Sequence, residues 1–161
     1  MNNAAHLIDL ARERGIMIAL AESCTGGLIS AALTAVPGSS AVFDRGFVTY
    51  TNAAKQAMLD VRSETLNAHG AVSEQVAREM ASGALARSQA AIALSVTGIA
   101  GPGGSDHKPE GRVCFGVATQ AGTFSETREF GAIGRDAVRA ATVTHGLSLL
   151  SEAMIHFSPL S

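Results

Sequence analysis

The sequence predicts an α/β fold with a mixed sheet, and three observations carry that expectation. Short apolar or β-branched runs alternate with stretches whose apolar residues recur at helical spacing. Clusters of Gly and Pro at 37–40 and 97–111 punctuate them as turns and loops. The last two strand candidates, 113–119 and 123–130, are separated only by Gln120-Ala121-Gly122, which suits a hairpin and not a crossover, so at least this pair runs antiparallel.

In chain order, Ala4, Leu7, Ile8 and Ala11 share one face of a first helix, and Gly15 is placed to end it in a left-handed conformation. The apolar run 16–20 is strand length; it leads through Glu22-Ser23-Cys24-Thr25-Gly26-Gly27 into a second helix over 28–36, giving strand, tight turn, helix. After the breaker at 37–40, β-branched and aromatic residues predict a strand over 46–50. Asn52, Ser63 and Ser73 are good N-cap residues and predict three further helices, the first containing Lys55. A buried strand over 91–96 precedes the Gly-rich loop, and the hairpin follows. Val143, Leu147, Leu150 and Met154 form the apolar stripe of a C-terminal helix. No repeat or linker divides the chain, so residues 1–161 are expected to form one domain.

Composition narrows the function. Hydrophobic residues make up 47% and charged residues 16%, which opposes disorder, while 4% aromatics points to packing on small side chains. The formal charge of −2 is spread without blocks, so nothing marks a nucleic-acid or membrane surface and a small-molecule partner is favoured. Two cysteines in unlike contexts and an N-terminus without an apolar signal-length run read as a reduced, cytoplasmic protein. The five histidines show no HExxH-type pairing and the cysteines no CxxC, so no metal is expected. The Gly-rich loop matches neither nucleotide fingerprint, and no ATP or NAD(H) cofactor is indicated.

Two positions stand out chemically. Ser23 would expose a hydroxyl beside backbone N–H groups at a helix N-terminus, where Gly26 and Gly27 allow close approach; the plain alternative is an N-cap serine. Lys55, with Asn52 as cap, falls in the first helical turn, where the macrodipole disfavours a cation by about 0.3–1 kcal/mol. A base working near neutrality needs several units of depression, on the order of 4 kcal/mol, chiefly from burial. A solvated surface lysine is the plain alternative. Tyr50, the single tyrosine, could orient a proton near that lysine. Cys24 is a rival nucleophile at the same turn, without a histidine nearby to partner it. Arg45, Lys108 and Arg135 are candidate anion partners.

Taken together, AESCTGG at 21–27, GSSAVFDRGFVTYTNAAK at 38–55, GAVSE at 70–74, SVTGIAGPGG at 95–104, KPEG at 108–111 and GRDAVR at 134–139 resemble the CinA C-terminal family over almost the whole chain. The resemblance implies a three-layer α/β/α fold with a mixed, mostly parallel sheet, a homo-oligomer, expected to be a dimer, and a metal-free serine/lysine hydrolase. Its stand-alone members are amidases converting nicotinamide mononucleotide to nicotinic acid mononucleotide and ammonia. The family's nucleophile and base map onto Ser23 and Lys55, and the tyrosine of its TYxNxxK motif is Tyr50. On this reading backbone groups around Thr25, Gly26 and Gly27 hold the oxyanion, while Thr97 and Gly98 with Arg45 or Arg135 hold the ribose phosphate. A non-catalytic nucleotide-binding or competence-related scaffold is the rival from another class.

Overall fold

The computed structural model describes residues 3–157. Its elements are α1 (Ala4–Arg14), β1 (Ile18–Glu22), α2 (Leu28–Thr34), β2 (Phe43–Val48), α3 (Asn52–Leu59), α4 (Ser63–His69), α5 (Glu74–Ala86), β3 (Ile92–Gly98), β4 (Arg112–Thr119), β5 (Gly122–Glu129) and α6 (Arg135–His156). The sheet order is β2-β1-β3-β4-β5. β1 pairs parallel with β2 and β3, while β3–β4 and β4–β5 are antiparallel, so the sheet is mixed as expected. Helices α1, α2 and α6 pack together against one face, and α5, flanked by α3 and α4, covers the other, completing three layers.

The two faces differ in residue size. Ile18 and Leu20 of β1 and Ile92 and Leu94 of β3 enter a core with Leu7, Ile29, Phe115 and Leu150. Their neighbours Ala19, Ala21 and Ala93 point the other way, as the period of two requires, into a core with Leu59, Val76, Met80 and Ala81. Small residues on that side let α5 approach closely. The Ser95 hydroxyl donates to the Ala77 carbonyl at 2.5 Å, and a Cβ at Gly116 would run into that same carbonyl.

Several boundaries move from those expected. β1 runs two residues later, to Glu22, because Glu22 pairs with Val48 on one side and Val96 on the other. β2 ends at Val48, so Tyr50 lies beyond the strand. The cap of α3 is Thr51, whose hydroxyl accepts from the Ala54 N–H at 3.0 Å; Asn52 is the first helical residue. Arg62, with no side-chain cap, precedes α4 in place of Ser63. Ser73 does cap α5, accepting from the Val76 N–H at 3.2 Å. Gly15 ends α1 at φ 65°, the left-handed region expected of it.

With strand order 2-1-3, the chain runs from β1 outward to β2 and then crosses back past β1 to β3, so successive crossovers run in opposite directions along the sheet. The carboxyl ends of β1 and β3 therefore bound a crevice of the kind in which open α/β sheets bind ligands.

Candidate active site

Ser23 directly follows β1, and its N–H is tied to the Val96 carbonyl at 3.1 Å, which fixes the residue at the mouth of that crevice. It does not cap α2: the residue before that helix is Gly27, with φ 108° and no side-chain cap. The capping is done by Glu22. Its carboxylate, 1% exposed, accepts from the Ile29 N–H (2.9 Å), the Ser30 N–H (2.9 Å), the Thr25 hydroxyl (2.6 Å) and the Ser30 hydroxyl (2.7 Å). A buried charge with four donors at the positive end of a helix is satisfied without a cationic partner. From the last helix, Arg139 donates to the carbonyls of Cys24 (3.1 Å) and Thr25 (3.2 Å), clamping the turn from outside.

Freed from capping, the Ser23 hydroxyl accepts a 3.0 Å hydrogen bond from Lys55 Nζ, which also donates to the Thr49 carbonyl at 2.9 Å. Lys55 is 1% exposed and no carboxylate forms an ion pair with it among the described residues. Burial therefore pulls its pKa down from 10.5 to about 8, against a weaker opposing influence from Cys24. Because Thr51 is the cap, Lys55 sits one position deeper in α3 than expected, and desolvation, not the helix dipole, accounts for the shift. The same burial pushes the Cys24 thiol up to about 11, opposite to what a thiol nucleophile needs.

Ser23, Cys24 and Lys55 open into a cavity of about 390 Å³ walled by Tyr50, Asn52, Thr97, Gly98, the Gly-rich loop, Lys108 and Arg135. Arg135 bridges the rim, donating to the Gly101 carbonyl (2.6 Å) and to the Tyr50 hydroxyl (2.8 Å). Lys108 donates to the carbonyls of His69 and Val72, both at 2.6 Å, and Glu110 accepts from the N–H groups of Gly103 and Gly134, so the loop is fastened at both ends. Thr97 donates to the Ala71 carbonyl at 2.9 Å.

The fold thus gathers Ser23, Lys55, Tyr50, Thr97, Gly98 and Arg135 around one cavity, and leaves four expected residues outside it. Thr25 is fully buried and spends its hydroxyl on Glu22. The Gly26 N–H closes the turn onto the Ser23 carbonyl (3.0 Å), and Gly27 leads into a helix whose amides are taken by Glu22, so this segment does not face the cavity. Arg45, on edge strand β2, is held by Asp44 (2.9 Å) and the Arg87 carbonyl (3.0 Å). Tyr50, 58% exposed, gives its hydroxyl to Arg135 and not to Lys55. The sequence reading missed Glu22, Arg139 and the freed Asn52. A lone carboxylate closing a strand just before the turn, with hydroxyls at Thr25 and Ser30, is the signal that could have found Glu22. Among the described residues no group of His, Cys, Asp or Glu is arranged to hold a metal, and no helix is long and apolar enough to cross a membrane.

A serine hydroxyl in contact with a buried lysine that makes no ion pair among the described residues, at the carboxyl ends of a mixed sheet, is an arrangement that can activate an oxygen nucleophile toward a carbonyl carbon. The chain belongs to the CinA C-terminal domain family, whose model matches residues 2–154. Its relatives include the nicotinamide-nucleotide amidohydrolase PncC of Escherichia coli K12, 51% identical over 140 residues, which are 86% of this chain and 85% of that protein. A CinA-like protein of Chloroherpeton thalassium is 61% identical over 117 residues, 72% of this chain but only 28% of that longer protein. The crystal structure of the competence/damage inducible protein CihA from Agrobacterium tumefaciens superposes with a TM-score of 0.91 at 51% identity, covering 95% of this chain and 93% of that one.

Proposed function

We propose that this chain hydrolyses the carboxamide of nicotinamide mononucleotide, giving nicotinic acid mononucleotide and ammonia, with Ser23 as nucleophile and Lys55 as base. The observation that carries the reading is the 3.0 Å contact between Ser23 Oγ and a buried lysine that makes no ion pair among the described residues. The similarity to PncC, a nicotinamide-nucleotide amidohydrolase, supports the substrate.

In the first half-reaction neutral Lys55 takes the Ser23 proton as Oγ bonds to the carboxamide carbon, and the carbonyl electron pair moves onto oxygen. With Thr25, Gly26 and Gly27 turned away, that oxyanion is held at the cavity wall beside Ser23, which Cys24 and Gly98 line. Collapse breaks the carbon–nitrogen bond as the Lys55 ammonium returns its proton to nitrogen, so ammonia leaves and a nicotinoyl ester remains on Ser23. Water then gives a proton to Lys55 and its hydroxyl to the ester, and Ser23 recovers its proton from the lysine. Arg135, aimed by Tyr50, is the cation at the rim for the ribose phosphate.

The test is ammonia release from nicotinamide mononucleotide by the wild type and by Ser23→Ala and Lys55→Ala variants of intact circular dichroism. Wild-type turnover lost in both variants supports the reading. A wild type that binds the nucleotide without turning it over refutes it in favour of a binding scaffold.

A further inference from the structure

Most polar side chains on the cavity wall are already committed to the protein. Lys55 is held by Ser23 and Thr49, Thr97 by Ala71, Lys108 by two carbonyls and Arg135 by Gly101 and Tyr50. Asn52 differs. Thr51 has taken the capping role for α3, and the Asn52 side chain makes no hydrogen bond among the described residues; only its backbone carbonyl is used, by Gln56 at 3.4 Å. Asparagine is a poor residue inside a helix, where its amide competes for backbone partners, so an exposed asparagine at the first helical position contributes nothing evident to the fold. It does line the cavity, and at i, i+3 it shares a helix face with Lys55. Ser105 and Asp106 also have side chains free of hydrogen bonds, but they belong to the Gly-rich loop and not to the helix that carries the base.

We infer that Asn52 is the specificity residue for a primary carboxamide: its Oδ1 accepts one N–H of the substrate's CONH₂ group, an inference that rests on the amidase reading. Holding one N–H sets the rotation of the carboxamide about its bond to the ring and, once the carbon–nitrogen bond loses its double-bond character, steers the amino group through this hydrogen bond. As the tetrahedral intermediate forms, that bond turns the developing nitrogen lone pair toward Lys55, the group that must protonate it. An ester of the same acid has no N–H to offer and gains nothing from Asn52. The residue therefore sets the preference for amide over ester without itself carrying a proton.

The test compares two substrates in wild type and Asn52→Ala: nicotinamide mononucleotide and the methyl ester of nicotinic acid mononucleotide. The variant is expected to fold at least as stably as the wild type, because alanine is the better helix former. Its kcat/KM on the amide should fall about tenfold, the effect of one lost neutral hydrogen bond, while that on the ester stays within about twofold. Equal losses on both substrates, or no loss on either, overturn the assignment to Asn52 and leave the amidase reading standing. A wild type inactive on the amide overturns the amidase reading and this inference with it.

Discussion

Replacing Lys55 by methionine should make the protein more stable at neutral pH while abolishing turnover. Burial lowers the lysine pKa from 10.5 to about 8, which corresponds to about 3 kcal/mol of stability forfeited wherever both folded and unfolded chains hold the proton. Methionine removes that penalty and keeps most of the apolar stem. It also deprives the buried Thr49 carbonyl of its 2.9 Å donor, a loss of about 1–2 kcal/mol. The net gain at pH 7 is about 1–2 kcal/mol, or roughly 2–8 °C in Tm for a domain of this size. The sign has a pH signature. Between about 8 and 10.5 the unfolded lysine still binds a proton that the folded one has released, so the wild type gains stability with rising pH across that window and the variant does not. Titration of Cys24, whose coupling to Lys55 is weaker than the effect of burial, is shared by both proteins and largely cancels in the difference. Urea unfolding of both from pH 7 to 10 measures it: the variant's advantage should shrink steadily above pH 8. An advantage that stays constant with pH, or a variant less stable at pH 7, would refute the assignment of the lysine's perturbation to burial.

Three further outcomes are expected. If neutral Lys55 is the base, as proposed, wild-type kcat/KM rises about tenfold per pH unit below 8 and levels off above it; a profile flat from pH 6 to 9 would count against that role. Cys24→Ala should retain turnover within about twofold, since a thiol with a pKa near 11 is ionised at only about one part in 10⁴ at pH 7; loss of activity in a folded variant would revive the thiol mechanism. Glu22→Gln should lower stability by roughly 2–4 kcal/mol in urea titrations, because the side-chain NH₂ must face either Thr25 and Ile29 or the two Ser30 donors; an unchanged midpoint would show that the carboxylate is not the cap of α2.

The layered fold, the hairpin and the strand-turn-helix at Ser23 were legible because each rests on local periodicity or on a short connection. Element ends were less so, because neighbouring residues compete for the same role. Thr51 and Asn52 are both good caps, and the sequence cannot say which hydroxyl or amide will meet the third amide of the helix. Site membership follows the same division. Ser23 and Lys55 could be named from their motifs, but their contact spans 32 positions and only the fold establishes it. Arg45 and Arg135 look equivalent in sequence; one lies on an edge strand beside Asp44 and the other at the cavity rim, a difference set by strand order. In sequence the Ser23 turn has the look of an anion-binding helix start. A single buried carboxylate, Glu22, reverses that by consuming the helix amides itself.

The Arg139 clamp ties completion of the site to completion of the fold. The guanidinium that holds the carbonyls of Cys24 and Thr25 stands 115 and 114 positions after them, on α6. Until that helix docks, the Ser23 turn lacks its outer fastening and Arg135 is missing from the cavity rim. A chain lacking α6 would carry the Ser23 and Lys55 segments without a finished pocket, so the cavity is a property of the whole span from β1 to α6 and of no shorter segment.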